Sequence, residues 1–418
     1  MKNTVIIFGY NNTRIYDIER IKNYCKEKLD ADIVLCRETI SELDKKITPH
    51  TIQVNLDDRH IDSIKQQIGI IDNYTEKNEL NIIGCLPFAD KGIPLGSYYA
   101  KNKGLIHDNA EKSVACIDKY QFRLLEKAEV TPEWYRKPFF IKIYSYEEAV
   151  EIVSDTKCSL FFKPTQEGNS RGCMEINSLA DLEVNKVILA AYFKQGIIIE
   201  ECIKGCDEYS FDGVNGSYII TEKKTSSGLY RVETQHILPA PLTDLNYSRL
   251  IEAGKIVAKI SGSNGGAVHN ELFLNKSTGE VYCVEPNRRP AGLKLWDWVA
   301  ESYPGVDNWD NWISWACGRP VDIQHPENKS YYVGCRMLEA ISAGKICSLQ
   351  ANVREAFSSI PDVIDIAIVK KIGDTVKSAL SDNSDFIGYV VCRAKSIEKL
   401  RDLLDLAANK AATLYAIE

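Results

Sequence analysis

The 418-residue sequence has no apolar run of membrane-spanning length, and its six histidines include no HExxH pair. It also lacks a Walker GxxxxGK[ST] loop, and Gly9, which ends the first apolar run, does not open a GxGxxG, so a dinucleotide site there has no support. Thirteen cysteines are scattered with no CxxC and no Cys/His zinc spacing; Cys202 and Cys206 are the nearest pair. They read as free, buried thiols in a reducing cytoplasm. A net charge of −7 argues against a broad nucleic-acid surface and leaves only a local basic cleft open. Met1 to Gly9 carries one lysine and is too short for a secretory signal. Neither an internal repeat nor a low-complexity linker is present.

What is present is the profile of a soluble globular protein, 44% hydrophobic and 26% charged, long enough for two or three domains. Residues 5–9 read as a buried strand. Ile15, Ile18, Ile21 and Tyr24 give a helical face, and 31–36 and 82–86 read as further strands. This alternation predicts a parallel α/β domain. Helices are expected over 113–130, stopped before Pro132, and over 146–154, 245–261 and 396–415. A strand, glycine loop and strand span 160–176. Residues 209–240 look β-rich, with turns at Asn215-Gly216 and Ser227-Gly228, and 267–286 look like a hairpin. Residues 223–241 read as a mobile loop.

Four stretches carry chemistry. In 161–174 a strand ends in Lys163 and a loop bears Gly168, Asn169, Ser170 and Gly172. Such a loop lays backbone N–H groups on phosphate oxygens while the lysine supplies a point charge, although composition leaves an ordinary surface turn equally open. In the hairpin, a five-residue turn at 276–280 sets Glu271 opposite Glu285, so both carboxylates leave one face; a slip of one residue separates them. Facing carboxylates repel unless a cation joins them, and an oxygen-only set completed by Asn287 suits Mg²⁺. Spacing alone leaves two unrelated, solvated glutamates open. Arg288-Arg289-Pro290 offers guanidinium forks for phosphate or carboxylate, or a basic surface turn. The apolar run into Glu200, Glu201 and Ile203 offers backbone to an adenine edge, and Glu208 offers a carboxylate to ribose hydroxyls; a strand end with solvated acids is the alternative.

In chain order these pieces are Asp118-Lys119, Lys163-Pro164 with its glycine loop, Glu200-Glu201 with Gly205, then Glu208, Ser210, Asp212 and Gly213. Gly266, His269 and Glu271 follow, then Glu285, Asn287, Arg289 and Pro290. That order resembles the ATP-grasp enzymes, which include D-alanine–D-alanine ligase, biotin carboxylase and the L-amino-acid ligases that make dipeptides. The resemblance covers residues 80–320 in motifs. It implies an α/β (mixed α+β) ATP-grasp fold with an N-terminal parallel α/β domain over 1–112, a small lid subdomain with its linker helix over 113–203, and a large subdomain with a mixed α+β C-terminal region over 204–418. It further implies that Lys119 and Lys163 contact ATP phosphates from two sides and that 166–172, with Gly168, Asn169 and Ser170, forms the phosphate lid. Glu200, Glu201 and Ile203 form the adenine hinge, and Glu208 touches ribose. Glu271, Glu285 and Asn287 hold Mg²⁺, with Mn²⁺ as a substitute, and Arg289 binds the acyl phosphate. The lid departs from the pattern: it has Arg171 where the family often has serine or glycine.

Thr234, His236 and Pro239 form a run like that of the L-amino-acid ligase branch, where His236 meets phosphate or the reacting carboxylate; an exposed loop histidine is the alternative. Asp90 and Ser97 are placed at the substrate cleft, and Trp296 and Trp298 in the core. The expected activity joins a carboxylate to an amine, both small molecules and both amino acids, through an acyl phosphate with release of ADP. A biotin-carboxylase-like enzyme is one alternative, though the only methionines are Met1, Met174 and Met337 and no Ala-Met-Lys-Met biotinyl site occurs. A non-catalytic ATP-binding module is the other. The resemblance implies a cytoplasmic protein, a homodimer as is usual in the family, and neither membrane nor nucleic-acid partners.

Overall fold

The computed structural model describes every residue except Asn169, 227–230, 321–325, Glu327, Pro361 and Asp382. Its first sheet is parallel throughout. The strand Lys2–Phe8 pairs with Asp32–Arg37 on one side and Leu80–Pro87 on the other, and Thr51–Gln53 closes the edge. Valine, isoleucine and phenylalanine are buried on both faces of the central strand, as a doubly covered sheet requires. The helices Ile61–Lys77 and Gly92–Asn102 cover one face. The other face packs on Ile15–Leu29 and on the helix Asn308–Ala316 from far along the chain. There Trp296, Trp309 and Trp312 enclose Phe88, which stacks on Trp309 at 6.2 Å and 14°. Trp296 and Trp298 are therefore core residues, as the sequence indicates. This tryptophan cluster clamps the first sheet to the segment that follows the Glu285 strand.

A second, four-stranded sheet contains Phe140–Ile143, Ile197–Glu201, Leu160–Pro164 and Met174–Ile176 in that order, all antiparallel. The helices Tyr146–Asp155 and Leu179–Ala190 pack on it around Phe162, Leu182 and Leu189. A nine-stranded sheet forms the platform of the molecule. Its central strands are Glu233–Leu238, Ser217–Thr225, Asp207–Val214, Val268–Leu274 and Val281–Glu285, antiparallel neighbours in that order. The helix Asp244–Ser261 lies across it, capped by Thr243 and ended by Gly262 at φ +86°.

The expected helix over 113–130 is broken. A 3₁₀ turn, Ser113–Cys116, precedes the α-helix Lys119–Ala128. Asp118 causes the restart, because its carboxylate accepts from the Tyr120 and Gln121 N–H groups. The mobile loop expected over 223–241 is mostly strand: Lys223–Thr225 ends one strand and Glu233–Leu238 forms another. The Ser227-Gly228 turn lies outside the described residues. The strand Thr51–Gln53 and the helix Ile61–Lys77 were not read from the sequence. Among the described residues no helix is long and apolar enough to cross a membrane, and all thirteen cysteines are free thiols, with Cys158 and Cys347 exposed.

Candidate active site

The hairpin is the floor of the site. Leu274 pairs with Val281, Phe273 with Tyr282 and Leu272 with Cys283, so the turn is one residue longer than the spacing predicts. Left uncorrected, that register would set Val284 opposite Glu271. A bulge between Glu271 and Leu272 absorbs the extra residue and restores Glu271 opposite Glu285. Directly opposed in an antiparallel pair, the two carboxylates leave one face; burial works against the charges on Lys119 and Arg289, yet both are raised, Lys119 chiefly by Glu285 and Arg289 chiefly by Asp90. Asn287 follows, its Nδ2 donating to Glu285 Oε1 at 3.3 Å.

Lys119 reaches this face from the first residue of its helix. Its Nζ lies 2.9 Å from Glu285 Oε2 and donates to the Glu167 carbonyl at 2.6 Å, tying the hairpin to the glycine loop. Burial disfavours the ionised Glu285, but Lys119, Asn287 and Arg289 outweigh it and hold its carboxyl at about 2. The loop root is fixed from the same place: the Lys119 N–H donates to the Thr165 carbonyl, and Gln166 donates to Asp118 Oδ2 at 3.1 Å. Beyond that root, Gly168 has open space around it and Ser170 sits at φ +56°; Asn169 lies outside the described residues. Gly172, at φ +69°, abuts Tyr192 so closely that a Cβ would meet the ring at 2.5 Å.

Lys163 comes from the opposite, four-stranded sheet. Its Nζ donates to Glu200 Oε2 at 2.6 Å, and Glu200 Oε1 accepts from Arg123 Nε at 2.5 Å. Arg123 is almost fully buried and also binds Glu126 and the Cys283 carbonyl, so it bolts the linker helix to both sheets. Burial opposes the charge on Glu200, but Arg123 and Lys163 bring its carboxyl down to about 2. The Glu200 carboxylate is thus committed to structure, while Glu201 ends its strand exposed. Cys173, which sequence reading did not single out, feels both lysines: burial pushes its thiol up and Lys119 and Lys163 pull it back.

Between hairpin, loop and first sheet is an open cleft, lined by Asp90, Lys119, Gln166, Gly168, Glu285 and Asn287 among others. Arg289 borders it, its Nε 2.7 Å from Asp90 Oδ1. Arg288 turns inward instead, donating to the Asn109 and Gly262 carbonyls and to Ser97. Arg289 thus reaches the cleft wall through Asp90, and Ser97 is a buried partner of Arg288.

No protein-family model matches the chain, and no curated protein matches its sequence. Solved structures do match over its whole length. The L-amino acid ligase from Bacillus licheniformis aligns with a TM-score of 0.75 at 14% identity, covering 100% of this chain and 98% of that one. Phosphoribosylglycinamide synthetase from Anaerococcus prevotii gives 0.66 at 17%, covering 100% and 99%. The biotin carboxylase domain of the Hydrogenobacter thermophilus 2-oxoglutarate carboxylase, solved with MgADP and bicarbonate, gives 0.65 at 16%, covering 100% and 91%. The chain has the ATP-grasp fold.

On this ATP-grasp platform the remaining expected residues form a polar band across the strands. His236 is not an exposed loop residue; it is 2% exposed, within a strand, and its Nε2 lies 3.0 Å from Glu233 Oε2. Opposite it in the register stands Lys223, which pairs in turn with Glu208. Lys223 Nζ contacts Glu208 at 2.8 Å, Glu271 at 2.9 Å, and Glu233. His269 bonds Asp212 at 2.5 Å, and its Nε2 is 3.8 Å from Glu271. Lys223, Glu233 and Arg123 were missed because a lone lysine, glutamate or arginine carries no motif. Alternation gave no signal for Lys223 either, because Thr221, Glu222 and Lys223 are all polar and all buried, on both faces of the strand.

Proposed function

We propose that this chain is an ATP-dependent ligase that joins a carboxylate, an amino acid, to an amine, also an amino acid, through an acyl phosphate with release of ADP and phosphate. The observation that carries the reading is the pair Glu271 and Glu285 on one sheet face, with Lys119 bonded both to Glu285 and to the glycine-loop backbone. The divisions expected from the motifs, 1–112, 113–203 and 204–418, serve as the proposed domain boundaries.

The donors at this face fit a hard cation. Glu271, Glu285 and Asn287 provide oxygen only, and the two carboxylates are about a fifth exposed at a cleft rather than sealed in the core. A bound Mg²⁺ would neutralise phosphate charge there. Lys119 and Lys163 supply point charges to phosphate oxygens from the two sheets, and the loop 166–172 covers them. Backbone groups of Glu201 and Ile203 take the adenine edge. Glu208 offers Oε2 to a ribose hydroxyl, while its Oε1 contacts Lys223. Arg289, released from Asp90, orients the substrate carboxylate and stabilises charge as the phosphoryl group arrives and as the amine attacks. His236 with Glu233 borders the same region. Closure of the loop excludes water that would hydrolyse the acyl phosphate.

The likeness to the L-amino acid ligase, TM-score 0.75 over essentially both chains, supports amino acids as substrates. A bicarbonate-activating reading draws on the biotin carboxylase likeness. The test is a panel of amino-acid pairs, with bicarbonate as a separate arm, followed by phosphorus NMR. The expected result is ADP and phosphate formed only when an acid and an amine are both present. AMP and pyrophosphate, or turnover with bicarbonate alone, would refute it.

A further inference from the structure

At the centre of the polar band lies a lysine that the mechanism above does not use. Lys223 is 1% exposed, and its Nζ is enclosed by three carboxylates from three strands: Glu208 at 2.8 Å, Glu271 at 2.9 Å, and Glu233. Ligand oxygens of these three glutamates lie within 4.8 Å of one another. Three anions this close, partly withdrawn from water, repel one another unless a cation sits among them. Here the cation is part of the chain and cannot diffuse away.

The consequence falls on Glu271. Its neighbours across the hairpin and along the strand, Glu285 and His269, do not fix it: Glu285 is held by Lys119 instead, and His269 Nε2 stands 3.8 Å away. The short contact to Glu271 comes from Lys223. We infer that Lys223 is a positioning residue that pins Glu271 in the orientation in which it faces the divalent cation, by serving as a fixed cation shared with Glu208 and Glu233. This rests on the reading of Glu271 as a magnesium ligand. Partners of this kind, which hold a metal ligand without touching the metal, typically contribute about 10–100-fold to metal affinity.

The experiment is Mn²⁺ titration of the full-length protein with ADP, read by electron paramagnetic resonance, alongside thermal melting and the Mg²⁺ dependence of ligation. Lys223→Met alone removes the cation shared by three close carboxylates and is prone to unfold, so the informative variant is Lys223→Met/Glu233→Gln, which keeps the net charge of the cluster. That variant should melt near the wild type, bind ADP without metal as the wild type does, and bind Mn²⁺ about tenfold or more weakly, with a matching rise in the Mg²⁺ needed for half-maximal rate. Glu233→Gln alone should keep wild-type Mn²⁺ affinity, and Lys223→Arg should restore most of it. A folded double variant with wild-type Mn²⁺ affinity overturns the inference, as does an equal loss in Glu233→Gln alone. Wild-type protein that binds no Mn²⁺ with ADP overturns the magnesium reading itself, and this inference with it.

Discussion

Glu271 and Glu285 answer different cations, and the difference can be measured. Glu285 is held by Lys119 and Glu271 by Lys223. Glu285→Gln and Glu271→Gln should each lower the ligation rate roughly a hundredfold or more, with ADP binding largely retained in a calorimetric titration. Undiminished turnover in both would remove the pair from the chemistry. Glu200 is predicted to act through stability instead. Glu200→Gln removes the buried carboxylate that Arg123 and Lys163 share and should cost about 3 kcal/mol, seen as a fall in Tm. Because the folded carboxyl sits at about 2, below its ordinary 4.5, its contribution is complete above pH 4.5 and is lost as pH falls toward 2. Wild-type Tm should therefore drop more steeply than that of Glu200→Gln over this interval; parallel curves would contradict the assignment. At this scale the sequence was informative where residue type and spacing act together, as in the pairing of Glu271 with Glu285. It was silent on Lys223 and Arg123, whose partners lie on other strands.

Among the elements, the hairpin and the glycine loop carry the geometry. The pairing of Glu271 with Glu285 was legible, but for an incomplete reason: the turn is one residue longer than supposed, and a bulge compensates. A bulge has no composition signature, so spacing alone could not have found it. The strand Glu233–Leu238 falls in the stretch read as β-rich, and only the mobile-loop reading of 223–241 fails there; polar Thr234, Gln235 and His236 suggest a loop, yet Gln235 and His236 are both 2% exposed. For the glycine loop the structure separates two glycines. Gly172→Ala places a Cβ against Tyr192 and Pro164 at a left-handed φ and should raise the ATP KM severalfold. Gly168→Ala meets nothing within 4 Å and should change it little. Equal effects from the two would show that the loop is not held at its Gly172 end.

Across the whole molecule, the cleft exists because three sheets meet. The tryptophan cluster docks the parallel sheet, bringing Asp90 to Arg289, and Arg123 fastens the linker helix to both antiparallel sheets. Those long-range contacts explain why the parallel domain and the motif order were readable while the cleft itself was not: its walls come from residues roughly 90, 119, 166 and 285 positions along the chain. The account requires that oxygen pass from an acid to phosphate within this cleft. An acid substrate from the amino-acid panel, labelled with ¹⁸O in its carboxylate, tests that transfer directly by phosphorus NMR of the products. The account predicts one ¹⁸O atom in each phosphate released with ADP; phosphate free of label, or label carried into AMP, would contradict it.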